Sequence, residues 1–216
     1  MAEELPTGEN FHQYLKPPIQ ETIFLYPTTE LEISEEIKKL NPRKSPGHDC
    51  ISSKIIQACE PIIAKPLTLI FNHALESSVY PSDMKLAKVL ALHKKKEFCY
   101  PEHYRPISLL SCLDKLFEKL LYRRFMKFIQ KHKLIILEHY GFLKYHSTTL
   151  ALINLVDKIK DIMDNGEYAL VIYLDLKKAF DTVNHDILLE KLSHYGFRGN
   201  AYSLIKSYLK ERMQYT

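Results

Sequence analysis

At 216 residues and 46% hydrophobic content, the chain can bury a sizeable core and is too apolar for a disordered tail. A net charge of +4 permits a nucleic-acid partner without demanding one. The four cysteines (Cys50, Cys59, Cys99, Cys112) form no CxxC pair, and no apolar run reaches membrane-spanning length, so neither a disulfide framework nor a membrane partner is expected. A reduced intracellular setting, cytoplasm or nucleus, fits this usage.

Residues 1–27 mix Pro, Gly and polar residues without a period and read as a linker or surface arm. Thr29 and Glu32 make a capping box for a short helix with Ile33, Ile37 and Leu40 on one face, ended by Pro42. After a turn at Pro46 and Gly47, Ser52 or Ser53 caps a helix with Ile55 and Ile56, and Pro61 opens a longer apolar helix over 61–79. Residues 88–93 and 105–110 read as two strands of a hairpin with a basic tip.

Leu113, Leu116, Phe117, Leu120, Leu121, Phe125 and Phe128 then repeat at helical spacing over 113–131. A second long helix, 147–164, is capped at Ser147 and is expected to pack through Leu152, Leu155, Val156, Ile159 and Met163. Asn184 caps a helix through Leu192, and a last helix carries Leu204, Ile205, Tyr208 and Leu209. Three basic clusters stand out: Lys38, Lys39, Arg43 and Lys44; Lys94 to Lys96; and Arg123, Arg124, Lys127, Lys131 and Lys133. Each is either a solvated face or a phosphate contact.

After the 147–164 helix comes VIYLDLKKAFDTVNHDILLEKL, residues 171–192, which runs into the helix capped by Asn184. The apolar run Val171–Leu174 lacks helical periodicity and reads as a buried strand delivering the carboxylate of Asp175 to its end. An anion there needs a cation or a metal, or else it caps Lys177 or the next turn; local sequence leaves both open.

Four strings in order, NPRKSPGHD, YRPISLL, GFLKYHSTT and YLDLKKAFDTVNHDILL, resemble the reverse transcriptase of non-long-terminal-repeat retrotransposons, the long interspersed element type. The segment FHQYLKPPIQETIFLYPTT resembles what precedes the polymerase in such elements. The resemblance implies an α+β, mostly helical fold: the fingers and partial palm of a right-hand polymerase. Residues 1–27 would be the preceding arm, 28–165 a fingers-like region and 166–216 the partial palm. The implied activity is RNA-directed DNA polymerisation from an RNA template and DNA primer with deoxynucleotide triphosphates and Mg2+.

By the same resemblance Asp175 is the first metal-binding carboxylate, with the carbonyl of Leu176 a further ligand. Phe180 is the steric gate against a 2′-hydroxyl, and Lys94 and Arg105 face the triphosphate from the two sides of the fingers hairpin. Asp181 is expected to cap the following turn rather than bind metal. The chain departs from the family at His139, where Gln usually precedes the aromatic and Gly, and at Leu143, where Arg usually follows GF. Lys96 stands in the place of a turn Gly, and Ala91 where Pro is common. No aromatic-Ala-Asp-Asp string occurs, and the acidic pairs Glu3-Glu4 and Glu35-Glu36 stand in the wrong context. The 216 residues alone are therefore expected to be inactive. The alternative is a non-catalytic nucleic-acid-binding or regulatory remnant of a retroelement.

Overall fold

A computed structural model describes residues 11–94, 97–100, 103–176 and 179–216. These fall into two compact units, one formed by the described part of Pro6–Phe128 with Asn184–Thr216, the other by Ile129–Val183. Lys95, Lys96, Lys177 and the Glu3-Glu4 pair lie outside the described residues.

The larger unit is built on helices whose starts are written locally. Helix α1 (Glu30–Lys38) begins where Thr29 Oγ1 accepts the Glu32 N–H at 3.2 Å, and α2 (Ser53–Ala58) where Ser52 Oγ accepts that of Ile55. Pro61 sits in the first turn of α3 (Glu60–Ser77), where a missing N–H costs nothing; Pro66 is accommodated inside it. Helix α4 (Cys112–Lys131) presents Leu116, Phe117, Leu120 and Leu121 to the Phe71 face of α3, with the Phe71 and Phe117 rings stacked at 4.6 Å. Asn184 caps α6 (His185–His194) by accepting from Asp186 and Ile187, and α7 (Asn200–Leu209) adds Leu204 to the same core.

Strands β1 (Leu86–His93) and β2 (Tyr104–Leu109) pair antiparallel, with Leu92 opposite Arg105 and His93 opposite Tyr104. A third strand, β3 (Met213–Tyr215), adds parallel to the other edge of β1, giving the order β2-β1-β3. Three residues carry too little period-2 pattern to have been read as a strand. Pro106 is tolerated because β2 is an edge. The Lys94 N–H donates to the His103 carbonyl, and by alternation along the ladder the Ala91–Pro106 pair is a non-hydrogen-bonded one, so Pro106 faces outward where no donor is needed.

Residues 16–28 are strapped to this unit. Ile19 and Ile23 donate their N–H groups to the carbonyls of His194 and Gly196, and Arg198 holds the Ile19 carbonyl at 2.7 Å. Gly196, at φ +94°, is required there: a Cβ would meet the Glu21 carbonyl oxygen at 2.6 Å. Further along, the buried Arg124 donates to the carbonyls of Tyr26, Pro27 and Leu120 and to Thr28 Oγ1, and grips both oxygens of Glu32 at 3.1 and 2.9 Å.

Four cations of two of the three basic clusters, Lys38, Lys39, Arg123 and Arg124, are consequently paired with carboxylates. Glu36, fully buried, draws Lys39, Lys119 and Arg123, while Lys38 reaches Glu60. Burial alone would raise the Glu36 carboxyl; hydrogen bonds from Lys119 and Lys39, aided by the Lys119 and Arg123 charges, hold it below the usual range. The same opposition, with Arg124 and Thr28 against burial, keeps Glu32 low. Asp114 goes the other way. Burial pushes its carboxyl up to about 6, with the Glu118 charge adding to the rise and the Tyr80 hydroxyl and Arg212 opposing it. Tyr80 donates to Asp114 Oδ1 and Tyr208 to Glu118, so α4, α7 and the segment that follows α3 are joined by polar contacts.

The unit Ile129–Val183 contains α5 (Thr148–Asp164), capped by Ser147 Oγ at 3.2 Å from the Leu150 N–H as the sequence indicates. The expected packing of α5 is not found. None of its residues is buried; Leu152, Val156 and Met163 are exposed, and only Leu155 and Ile159 of the predicted stripe are half-covered. The expected strand at Val171–Leu174 is also absent: residues 167–176 have no regular structure, and Tyr173 and Leu174 are 79% and 88% exposed. A strand exists only through a neighbour that satisfies its N–H and C=O groups, and among the described residues none pairs with this run.

Candidate nucleotide and nucleic-acid site

The four sequence strings converge in pairs. In the larger unit, Gly47 of NPRKSPGHD lies flush against the backbone that follows YRPISLL: a Cβ would meet Ser111 N at 2.5 Å and Leu110 O at 2.7 Å. Lys115 Nζ reaches the Ser45 carbonyl nearby, so the first string is seated on the start of α4. In the other unit, Phe142 of GFLKYHSTT meets Phe180 edge to face, ring centroids 6.0 Å apart at 80°.

Lys94 and Arg105 come from the two sides of the β1–β2 hairpin, as expected. Leu92 stands opposite Arg105, and Lys94 follows two residues after Leu92, so both cations project from one face of the ladder, together with Lys88. Leu90, Leu92 and Ile107 share this face and are exposed. Among the described residues neither Lys94 nor Arg105 is in an ion pair; both are exposed. That contrasts with Arg123 and Arg124, whose charges are consumed by Glu36 and Glu32. Two exposed cations on one ladder, outside any ion pair among the described residues, can bind a phosphate chain.

Asp175 is not at the end of a strand. It lies exposed in the irregular stretch, as does Leu176, and its charge is solvated rather than buried. Phe180 stands in a turn, 79% exposed, with Thr182 donating to the Ala179 carbonyl beneath it. Among the described residues no three His, Cys, Asp or Glu side chains gather into a metal-holding group. One carboxylate and a carbonyl fall short of the donor set a magnesium pair needs, so these residues by themselves do not fit it.

Residues 92–216 match the family described as reverse transcriptase (RNA-dependent DNA polymerase). This chain is a member of the reverse transcriptase family. It is 35% identical over 199 residues to the probable RNA-directed DNA polymerase from transposon BS of Drosophila melanogaster, covering 92% of this chain and 22% of that protein. To the RNA-directed DNA polymerase from mobile element jockey of the same species it is 34% identical over 201 residues, covering 93% and 22%. The probable polymerase from transposon X-element is 30% identical over 205 residues, covering 94% and 22%. The chain thus spans about a fifth of the length of these relatives. The resemblance read from the four strings and the α+β, mostly helical fold are both borne out, and this reverse transcriptase chain belongs with those of non-long-terminal-repeat elements. The family generally uses Mg2+. No helix among the described residues is long and apolar enough to cross a membrane.

Sequence reasoning passed over the hairpin loop's aromatic residues, Phe98 and Tyr100. Their signal was present as rings interleaved among the charges of KKKEFCYPEHYR. It also took Arg124 for part of a charge run, since nothing local marks an arginine whose partners are more than ninety residues away.

Proposed function

We propose that these residues form the fingers and the first part of the palm of an RNA-directed DNA polymerase that copies a mobile element's RNA into DNA inside the cell. The hairpin supports this reading: Lys94 and Arg105 share one face and are in no ion pair among the described residues, and we assign them to the triphosphate of an incoming deoxynucleotide. Phe180 is the ring that sits under the sugar and rejects a 2′-hydroxyl. Asp175 and the Leu176 carbonyl are offered as magnesium ligands, to be joined by carboxylates that the described residues do not gather. When bound, the metal would supply charge stabilisation at the phosphates. RNA template, DNA primer and deoxynucleotide triphosphates are the partners that follow. Residues 1–27 act as the arm preceding the polymerase, 28–165 as the fingers-like region and 166–216 as the partial palm.

A polypeptide of these 216 residues is expected not to extend a primer on an RNA template with Mg2+. Extension that Asp175→Asn abolishes would overturn that expectation. In a longer polymerase containing this segment, Arg105→Ala is expected to raise the KM for deoxynucleotides at least tenfold, and Phe180→Val to admit ribonucleotides. Unchanged KM and unchanged sugar selectivity would remove both assignments.

The lack of a metal-holding group among the described residues favours a second reading, a nucleic-acid-binding remnant without chemistry. Salt-dependent RNA binding by the 216 residues, with no incorporation even in a longer polymerase, would select it.

A further inference from the structure

Strand β3 has little of its own to hold it. It pairs with Leu86–Lys88 over three residues, and Met213, Gln214 and Tyr215 are all exposed, so neither a long ladder nor apolar burial accounts for its docking. The chain enters it through Glu211 at φ +56°, a left-handed conformation that a side chain disfavours. Of residues 210–216 only Arg212 is not exposed. Its guanidinium lies 4.4 Å from the centre of the Tyr208 ring, with Nη1 donating to the Tyr208 carbonyl at 3.5 Å and Nη2 3.9 Å from Asp114 Oδ2.

Asp114 depends on Arg212 in turn. It is fully buried in the first turn of α4, where its N–H donates to Ser111 Oγ at 3.0 Å. Tyr80 donates to Oδ1, but Oδ2 receives no hydrogen bond among the described residues. The ionisable groups that face the carboxyl are Tyr80 from the segment after α3, Lys115 and Glu118 from α4 itself, Tyr208 from α7, and Arg212. Tyr208 gives its hydroxyl to Glu118, and Lys115 Nζ reaches the Ser45 carbonyl. Arg212 is thus the one cation among the described residues within ion-pair distance of Asp114.

We infer that Arg212 and Asp114 form a latch that docks β3 on β1 while Asp114 is ionised and releases it when Asp114 is protonated, opening the Leu86–Lys88 edge at the root of the hairpin that bears Lys94 and Arg105. A proton on Asp114 removes the charge that Arg212 faces, and the exposed strand keeps only its three-residue ladder. Docked Arg212 lowers the Asp114 pKa relative to the folded chain with β3 released, so the docked form binds fewer protons and docking strengthens as pH rises. Burial still leaves the docked carboxyl at about 6, which places release in mildly acid solution. Against the unfolded chain, where the carboxyl is solvated, the sign reverses. Release of β3 and unfolding of the whole unit therefore respond to Asp114 in opposite directions.

Amide hydrogen exchange of the 216-residue chain, expressed as protection factors so that the intrinsic pH dependence of exchange drops out, reads β3 and the core separately. Protection of the β3 amides is expected to fall about tenfold from pH 8 to pH 5, while that of the α3 and α4 amides around Phe71 and Phe117 does not fall. Asp114→Asn, which keeps an acceptor for Tyr80, and Arg212→Met should each show the low β3 protection at both pH values. Arg212→Lys, which keeps the charge, should retain the pH step. Level β3 protection from pH 8 to pH 5 overturns the latch, as does a step that survives in Asp114→Asn and so belongs to a histidine. A fall at Phe71 and Phe117 alongside β3 overturns it too, because the whole unit would then be opening. Arg105→Ala, which tests the triphosphate assignment, should leave the step in place, so the latch and the polymerase reading fail separately.

Discussion

Helices α4 and α5 are written in much the same way, yet the structure treats them differently. Each has apolar residues at helical spacing and charged residues between them. Helix α4 buries Leu116, Phe117, Leu120, Leu121 and even Arg124, because α3, α1 and α7 bring apolar faces and carboxylates to it. Helix α5 buries none of its residues, and the Val171–Leu174 run in the same unit stays exposed. An amphipathic pattern therefore states which face seeks cover, and not that cover is provided within these residues. The same division separates the arginines: Arg124 is a structural hub, while Arg105, on the edge strand β2, is exposed.

The strongest test of this contrast is truncation. Phe117→Ala is expected to cost about 3–5 kcal/mol in denaturant unfolding of the larger unit, through lost burial and an unfilled cavity beside Phe71. Leu155→Ala at the half-covered centre of α5 should change stability by less than about 1 kcal/mol; a loss as large as that of Phe117 would erase the contrast. Next in size, Arg124→Met should destabilise by about 3 kcal/mol, since it strands the carbonyls of Tyr26 and Pro27 and leaves Glu32 without its partner. Arg105→Met, exposed and unpaired, should leave the unfolding midpoint essentially unmoved.

The smallest effect concerns pH. Asp114 has a folded-state pKa raised from 3.8 to about 6, so the folded state holds its proton more tightly. Its contribution is fully present below pH 3.8 and is lost as pH rises towards 6 and beyond. Glu32 and Glu36 are lowered below 4.5, so their contributions are present above that value and are lost as pH falls through it. These three groups together put the peak stability of the larger unit at about pH 4 to 4.5, with a decline from there towards about pH 6. Asp114→Asn should flatten the decline on the alkaline side of the peak while leaving the acid limb. An unchanged alkaline limb would show that Asp114 does not control it.

Much of the secondary structure was legible because it rests on bonds that span few residues. The Thr29, Ser52, Ser147 and Asn184 caps, Pro61 in a first turn, and the alternation of the hairpin each depend on neighbours within four positions or on a facing strand one loop away. Two misreadings share one cause. The Val171–Leu174 strand and the α5 stripe were inferred from apolar side chains alone, and neither finds a partner among the described residues. The sequence marks 1–27 as a linker or surface arm but not its ties at 16–28, because the anchors His194, Gly196 and Arg198 are some 170 residues further on.

Sequence alone determined the family, through four ordered strings, and the positions of the capped helices and the hairpin, so Lys94 and Arg105 could be placed on one ladder before any coordinates. Tertiary structure decided which charges are spent and which remain. Glu36 and Glu32 capture Arg123 and Arg124 across long chain separations, whereas among the described residues Lys94 and Arg105 are in no ion pair. It also decided that Phe98 stacks on His93. The reason is physical: a charge or a ring is defined by its chain neighbours, but its availability is defined by whatever the fold brings within a few ångströms of it.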